Sequence, residues 1–215
     1  MFKRKPFFIV FEGVEGCGKS YQSKKLYKKL IKKKIPTILT REPGGTKSAE
    51  LIRNLILKDY FNKSQKEKFD KYTDTLLYLA ARNEHVKNKI LPELKRNKVV
   101  ICDRFTDSTF AYQVYGKKVK INFIKNIHKE ILNGIKPNLT FLLKASSKST
   151  KQRLKKRKVK NRYDNFSRSF YENAQKAFLK IVKNKKNCFV LNSSKNDKSL
   201  ESEIFRITQR YLTQK

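Results

Sequence analysis

The clearest chemistry in the chain lies in one run, Gly13-Val14-Glu15-Gly16-Cys17-Gly18-Lys19-Ser20, which fits the pattern GxxxxGK(S/T) in full. Gly13, Gly16 and Gly18 let the backbone curl so that successive N–H groups face an anion, and a helix starting near Lys19 adds its positive end. Lys19 is then placed to reach the β and γ oxygens of a nucleoside triphosphate, and the Ser20 hydroxyl to ligate Mg²⁺. The rival is a glycine-rich turn with a chance Lys-Ser pair; a strand pattern before the loop and a helix pattern after it weigh against that reading. Cys17 is read as filling a small-residue position and is given no catalytic role, although a thiol at a helix start can acquire thiolate character.

A second chemical pair is Asp103-Arg104, which ends the apolar run Val99-Val100-Ile101-Cys102. The carboxylate can hold a water of a Mg²⁺ shell, and the guanidinium can fork onto a phosphate. Adjacent acidic residues at a strand end, usual in motor ATPases and helicases, are absent, as is the Asn-Lys-x-Asp base reader of GTPases.

These groups need elements to hold them. Phe7 to Phe11 is a continuous apolar run bounded by Pro6 and Gly13, which reads as a strand buried on both faces. Leu26, Leu30 and Ile31 recur at helical spacing, and Pro36 ends that helix before a short strand at residues 37–40. Further strands are expected at 99–102, 139–143 and 188–191, all read as buried. Helices are marked by Ile124, Ile127 and Ile131, and by Leu200, Ile204, Ile207 and Tyr211. Strands alternating with helices give an α/β fold: a three-layer P-loop NTPase arrangement with a five-stranded parallel sheet, binding loops following Phe11, Thr40 and Cys102.

The chain has 215 residues, with only 7 Gly and 5 Pro and no linker-like stretch, so a single domain over 1–215 is expected. Lys and Arg total 53 against 18 acidic residues, a net charge of +35. Such charge can signal a nucleic-acid or acidic-membrane partner. Here the lysines are spread along the whole chain and no aromatic-interleaved basic motif accompanies them, so no dedicated nucleic-acid or membrane partner is expected. Three cysteines without CxxC pairing and two histidines support neither a disulfide scaffold nor a Cys/His metal site. The apolar run after Pro6 is too short for a signal or a membrane span, and a cytoplasmic location is expected.

The order of four signatures resembles the thymidylate kinase family: Phe11-Glu12-Gly13 into the loop, Thr40-Arg41-Glu42-Pro43-Gly44-Gly45-Thr46, Tyr78-Leu79-Ala80-Ala81-Arg82, and Asp103-Arg104-Phe105 with Ser108, Ala111, Tyr112 and Gln113. The likeness is dense over 7–113 and weaker to about 180. It implies transfer of the γ-phosphoryl group of ATP to dTMP, with Mg²⁺, in a homodimer. It assigns Arg53 and Arg104 to the acceptor phosphate, Tyr78 to stacking on thymine and Arg82 and Gln113 to the base edges. Glu15 with Tyr112 would meet the sugar, and Glu42, Pro43 and Ser108 are further contacts to dTMP. The competing readings are Tyr78 as ordinary helix core and Arg53 or Arg82 as solvated charge.

Phosphoryl transfer requires arginines near the moving group. Family members with an arginine inside the phosphate loop carry it where this chain has Gly16; the others supply it from a mobile lid. The matching lid here is about 153–165, with Arg153, Arg157 and Arg162 as its arginines and Arg162 closing on the phosphates. Asn161, Asp164 and Lys144 depart from the family pattern. Two rivals remain: another small-molecule P-loop kinase, which has no reason to carry Arg41 to Thr46, and a basic nucleic-acid-binding ATPase.

Overall fold

The computed structural model describes residues 5–58, 68–156, 167–195 and 197–213. Five strands, β1 (Phe7–Glu12), β2 (Thr37–Arg41), β3 (Val99–Asp103), β4 (Leu139–Lys144) and β5 (Cys188–Asn192), form one sheet in the order β2-β3-β1-β4-β5, with every pairing parallel. The strand order reverses beside β1, the place where open parallel sheets leave a crevice at their carboxyl ends.

Alternation along β1 explains the layering. Ile9 and Phe11 point to one face, where they join Leu26 and Leu30 of α1 (Lys19–Lys32), Phe178 of α8 (Arg168–Val182) and Ile204 of α9 (Lys198–Thr213). Phe8 and Val10 point to the other, where they meet Val86, Ile90, Val100 and Phe105. The reading of 188–191 as a buried strand fails at the sheet edge: among the described residues β5 has a neighbour on one side only, and its Val190 is 46 % exposed.

The register matters most for function. Phe11 stands opposite Asp103, and Asp103 opposite Arg41, so three loops leave the sheet side by side. Two backbone bonds lock that row: Arg104 N–H to the Phe11 carbonyl at 2.9 Å and Glu42 N–H to the Asp103 carbonyl at 2.9 Å. The loop after β2 leads to α2 (Lys47–Leu57), capped by Thr46, which accepts from the Ala49 amide; α3 (Lys71–His85) is capped likewise by Asp70. Beyond α3 a π-helical segment (Val86–Ile90) runs into α4 (Leu91–Lys95). After β3, α5 (Thr106–Thr109) passes into a second π-helical segment (Phe110–Gly116), followed by α6 (Ile121–Ile131) and, after β4, by α7 (Ser147–Lys155). In Phe110–Gly116 the wider turn lets three successive side chains, Ala111, Tyr112 and Gln113, all point inward.

Candidate active site

The turn after β1 is built around glycine. Gly13 has φ +134°, and a Cβ there would come within 2.5 Å of the Leu143 carbonyl oxygen and 2.8 Å of Cys17 Sγ. Gly18, at φ +99°, is the residue before α1 and offers no side-chain acceptor to the first helical turn, whose amides therefore face the loop. Lys19 is 5 % exposed, and its Nζ donates to the carbonyls of Gly13 (3.0 Å) and Val14 (2.8 Å). Cys17 is fully buried beneath the loop, in keeping with a packing role.

Facing the loop is a cleft of about 410 Å³. Its phosphate-loop wall is made by Glu15, Gly16, Gly18, Lys19 and Ser20. The opposite wall brings together Glu42, Pro43, Arg53, Tyr78 and Arg82, while Asp103, Arg104, Ser108, Tyr112 and Gln113 form the floor. Gly13, Val14 and Cys17 lie behind the lining. Tyr21, Arg41, Leu57, Thr109 and Leu154 also reach the cleft and were not singled out from sequence.

Arg104 is the centre of the floor. Its Nη2 donates to Glu15 Oε1 at 2.7 Å, and its Nη1 to the Gly13 carbonyl at 3.0 Å and Ser108 Oγ at 2.9 Å. The guanidinium lies 5.3 Å from the centre of the Tyr112 ring. Burial works against its charge, yet Glu15, Tyr112, Asp103 and Glu12 hold its pKa above the ordinary arginine value. The backbone there has φ +75°, a left-handed conformation that costs a non-glycine residue energy. Tyr112 itself is buried, which pushes its hydroxyl far above the usual range, so it is a neutral donor.

Arg82 is not a solvated charge. It is 3 % exposed, and its guanidinium is held at fixed positions by Glu42 Oε2 (2.7 Å), Thr109 Oγ1 (2.7 Å), His128 Nε2 (2.8 Å) and the Phe105 carbonyl (2.9 Å). Although burial opposes its ionisation, Glu42 is held below the usual carboxylate range by Arg82 and His85. His85 bridges Glu42 and Thr40. Tyr78 packs partly against the core and lines the cleft as well, so the two readings of it are compatible. Gln113 is 2 % exposed, and its Nε2 has no partner among the described residues, a donor that lines the cleft. Arg53 donates from Nη1 to the Pro43 carbonyl at 2.5 Å.

His128, on α6, was not legible as a site residue. An arginine N–H only donates, so Nε2 of His128 is the acceptor and its proton sits on Nδ1. Burial first, and then the Arg82 charge, lower its pKa from 6.5 to about 3, against an opposing pull from Glu42. The folded state thus binds fewer protons than the unfolded chain between these values, and this stability, full above 6.5, is lost as pH falls towards 3. Melting temperature measured from pH 7 to pH 4 is expected to fall less steeply in His128→Gln, which keeps an acceptor but cannot titrate, than in the wild type.

Ser20 Oγ donates to Asp103 Oδ2, while Asp103 Oδ1 is buried with no hydrogen-bond partner among the described residues. A hydroxyl and a free carboxylate oxygen beside the phosphate loop suit a hard divalent cation. Among the described residues no group of three or more acidic, His or Cys side chains gathers to hold one unaided. A cation here would share its shell with phosphate oxygens and water.

Arg153, beside Leu154, also lines the cleft. It lies on α7, and its guanidinium donates to the Gly16 carbonyl (3.2 Å) and to the carbonyls of Ser193 (2.8 Å) and Ser194 (2.5 Å). Residues 153–155 of the expected lid form the last turn of α7. Arg157 and Arg162 lie outside the described residues.

A family model described as thymidylate kinase matches residues 11–204. The thymidylate kinase of Aster yellows witches'-broom phytoplasma (strain AYWB) is 40 % identical over 95 % of this chain and 96 % of its own length. That of Wolbachia pipientis subsp. Culex pipiens (strain wPip) is 41 % identical over 94 % of this chain and 96 % of its own. A crystal structure of thymidylate kinase from Ehrlichia chaffeensis superposes with a TM-score of 0.72 at 30 % identity, covering 95 % of this chain and 99 % of that one. The matched span contains every residue that lines the cleft, and the chain belongs to the thymidylate kinase family.

Proposed function

We propose that the cleft binds ATP and dTMP end to end and transfers the γ-phosphoryl group to give dTDP and ADP for DNA precursor synthesis. The observation that carries this is the single row Phe11, Asp103, Arg41, from which the phosphate loop, Arg104 and the Glu42–Pro43 loop all face one cavity. The loop amides and Lys19 hold the β and γ phosphates of the donor. Arg104 and Arg53 take the acceptor phosphate, with Glu15 keeping Arg104 aligned and meeting the sugar together with Tyr112. Tyr78 stacks on thymine, and the fixed donors of Arg82 with Gln113 Nε2 read its edges. Ser20 directly and Asp103 through water would hold Mg²⁺, which when bound supplies charge neutralisation on the donor phosphates. Arg162, with Arg157, stabilises charge on the moving group from the lid, and Arg153 fixes the loop after β5 against Gly16, where the adenine would lie.

The test is an ADP-release assay with ATP, Mg²⁺ and a panel of monophosphates. dTMP is expected to outrun dCMP, AMP and GMP by at least about tenfold in kcat/KM, and a comparable rate for a purine would remove the base assignment.

The protein works as a homodimer in the cytoplasm. Support for the dimer comes from the outer faces of α2 and α3, where Leu51 (70 % exposed), Leu55 (44 %) and Leu76 (46 %) present apolar side chains to solvent. Sedimentation of the wild type is expected to give a dimer at micromolar concentration, and Leu51→Asp a monomer; a monomeric wild type would refute it. Among the described residues no helix is long and apolar enough to cross a membrane.

A further inference from the structure

Glu12 ends β1 on the same face as Phe8 and Val10, where another apolar side chain would fit. It is instead a carboxylate 1 % exposed, and none of the roles above uses it. Its Oε1 accepts the Phe105 N–H at 2.8 Å and the Ser108 N–H at 3.3 Å, and its Oε2 accepts the Ser108 hydroxyl at 2.5 Å. Ser108 Oγ in turn accepts from Arg104 Nη1 at 2.9 Å. Neither Phe105 nor any other side chain of the turn caps α5, so a residue from a different strand supplies that acceptor.

We propose that Glu12 is a positioning residue for acceptor binding: through the Ser108 hydroxyl it orients Arg104 towards the phosphate of the monophosphate. This rests on the proposed function, in which Arg104 grips that phosphate. A serine hydroxyl has one proton. Committed to Glu12, that proton leaves a lone pair facing the guanidinium, and Arg104 keeps three acceptors, Gly13, Ser108 and Glu15, around one fixed plane. The Phe105 and Ser108 N–H groups that donate to Glu12 also pin the chain after Arg104, where it must leave its left-handed turn.

The surroundings fit such a role. Asp107 on α5 faces Glu12 and is paired with Lys185 at 2.5 Å; Cys102 of β3 and Cys188 of β5 lie nearby, and Arg104 is the cation that favours the Glu12 charge. Burial first, and Asp107 next, raise the Glu12 pKa from 4.5 to about 7, while Ser108, Arg104 and the Phe105 amide favour the carboxylate. The groups that Glu12 orients thus offset part of the cost of its charge.

Glu12→Gln keeps shape but reverses one bond, because an amide nitrogen can only donate to Ser108, so the serine proton loses its acceptor and is no longer held away from Arg104. Steady-state kinetics of the full chain are expected to show KM for dTMP raised about tenfold while KM for ATP stays within about twofold. In a Ser108→Ala background the same substitution is expected to change KM for dTMP by less than about twofold, since the relay is already cut. An unchanged KM for dTMP, an equal rise for both substrates, or fully additive effects would overturn the proposal. Should Glu12→Gln fail to fold, Glu12→Asp, which keeps the charge but falls short of Ser108, must show the same selective rise or the proposal fails. Absence of dTMP phosphorylation by the wild type would instead refute the proposed function.

Discussion

Lys19→Ala is expected to lower kcat by about a hundred- to a thousandfold, the loss found when one preorganised donor to a transition-state oxygen is removed. Its ammonium is buried and bound to the carbonyls of Gly13 and Val14, so it is already stripped of most water and placed at the foot of the loop. A charge in such surroundings acts on a developing phosphate charge far more strongly than one in solvent. The loop amides remain in the variant, so KM for ATP is expected to rise less than kcat falls. Lys19→Arg should not rescue, because a longer planar fork cannot reproduce a point charge held between the Gly13 and Val14 carbonyls. Single-turnover rates with saturating ATP measure the effect, and a fall of under about fivefold would remove Lys19 from the mechanism.

Arg104→Ala is expected to reduce kcat/KM for dTMP by about a thousandfold while leaving ATP binding near normal. The substitution takes the main partner from the acceptor phosphate and also removes the 2.7 Å ion pair by which Arg104 offsets the Glu15 charge beside that phosphate. Truncating one member of a desolvated charge pair costs about 2–5 kcal/mol. A comparison with Arg104→Gly separates chemistry from backbone. At φ +75° glycine is favoured, so the glycine variant should melt higher than the alanine variant by the equivalent of about 1 kcal/mol, with both equally inactive. Equal activity of either variant with wild type would end the assignment of Arg104.

The strands and the phosphate loop were legible because their determinants are local: an apolar run, three glycines and a Lys-Ser pair within one turn. The elements carrying Arg41 to Thr46 and Asp103-Arg104 could be placed for the same reason, since strand ends in a parallel sheet converge on one edge. Pairings between distant positions were not readable. His128 binds Arg82 across 46 residues with no spacing to betray it, and Arg153 reaches Ser193 across 40. Composition likewise hid the burial of Arg82, because arginine on a helix is ordinarily solvated and only four converging acceptors make its burial tolerable. Glu12 was visible within the signature Phe11-Glu12-Gly13 but without a role, since its partners lie some 93 to 96 residues on.

The π-helical stretch Phe110–Gly116 has a consequence for how this site can vary. An α-helix advances about 100° per residue, and a π turn absorbs one residue beyond that rhythm. Upstream of the extra residue, Tyr112 and Gln113 look into the cleft; downstream, Lys117 clasps Asp74 of α3 at 2.7 Å. Both orientations hold only while the phase offset persists. Deleting a single residue between Gln113 and Lys117 would rotate one end against the other by about a quarter turn, so this piece of chain tolerates exchanged side chains far better than a changed length.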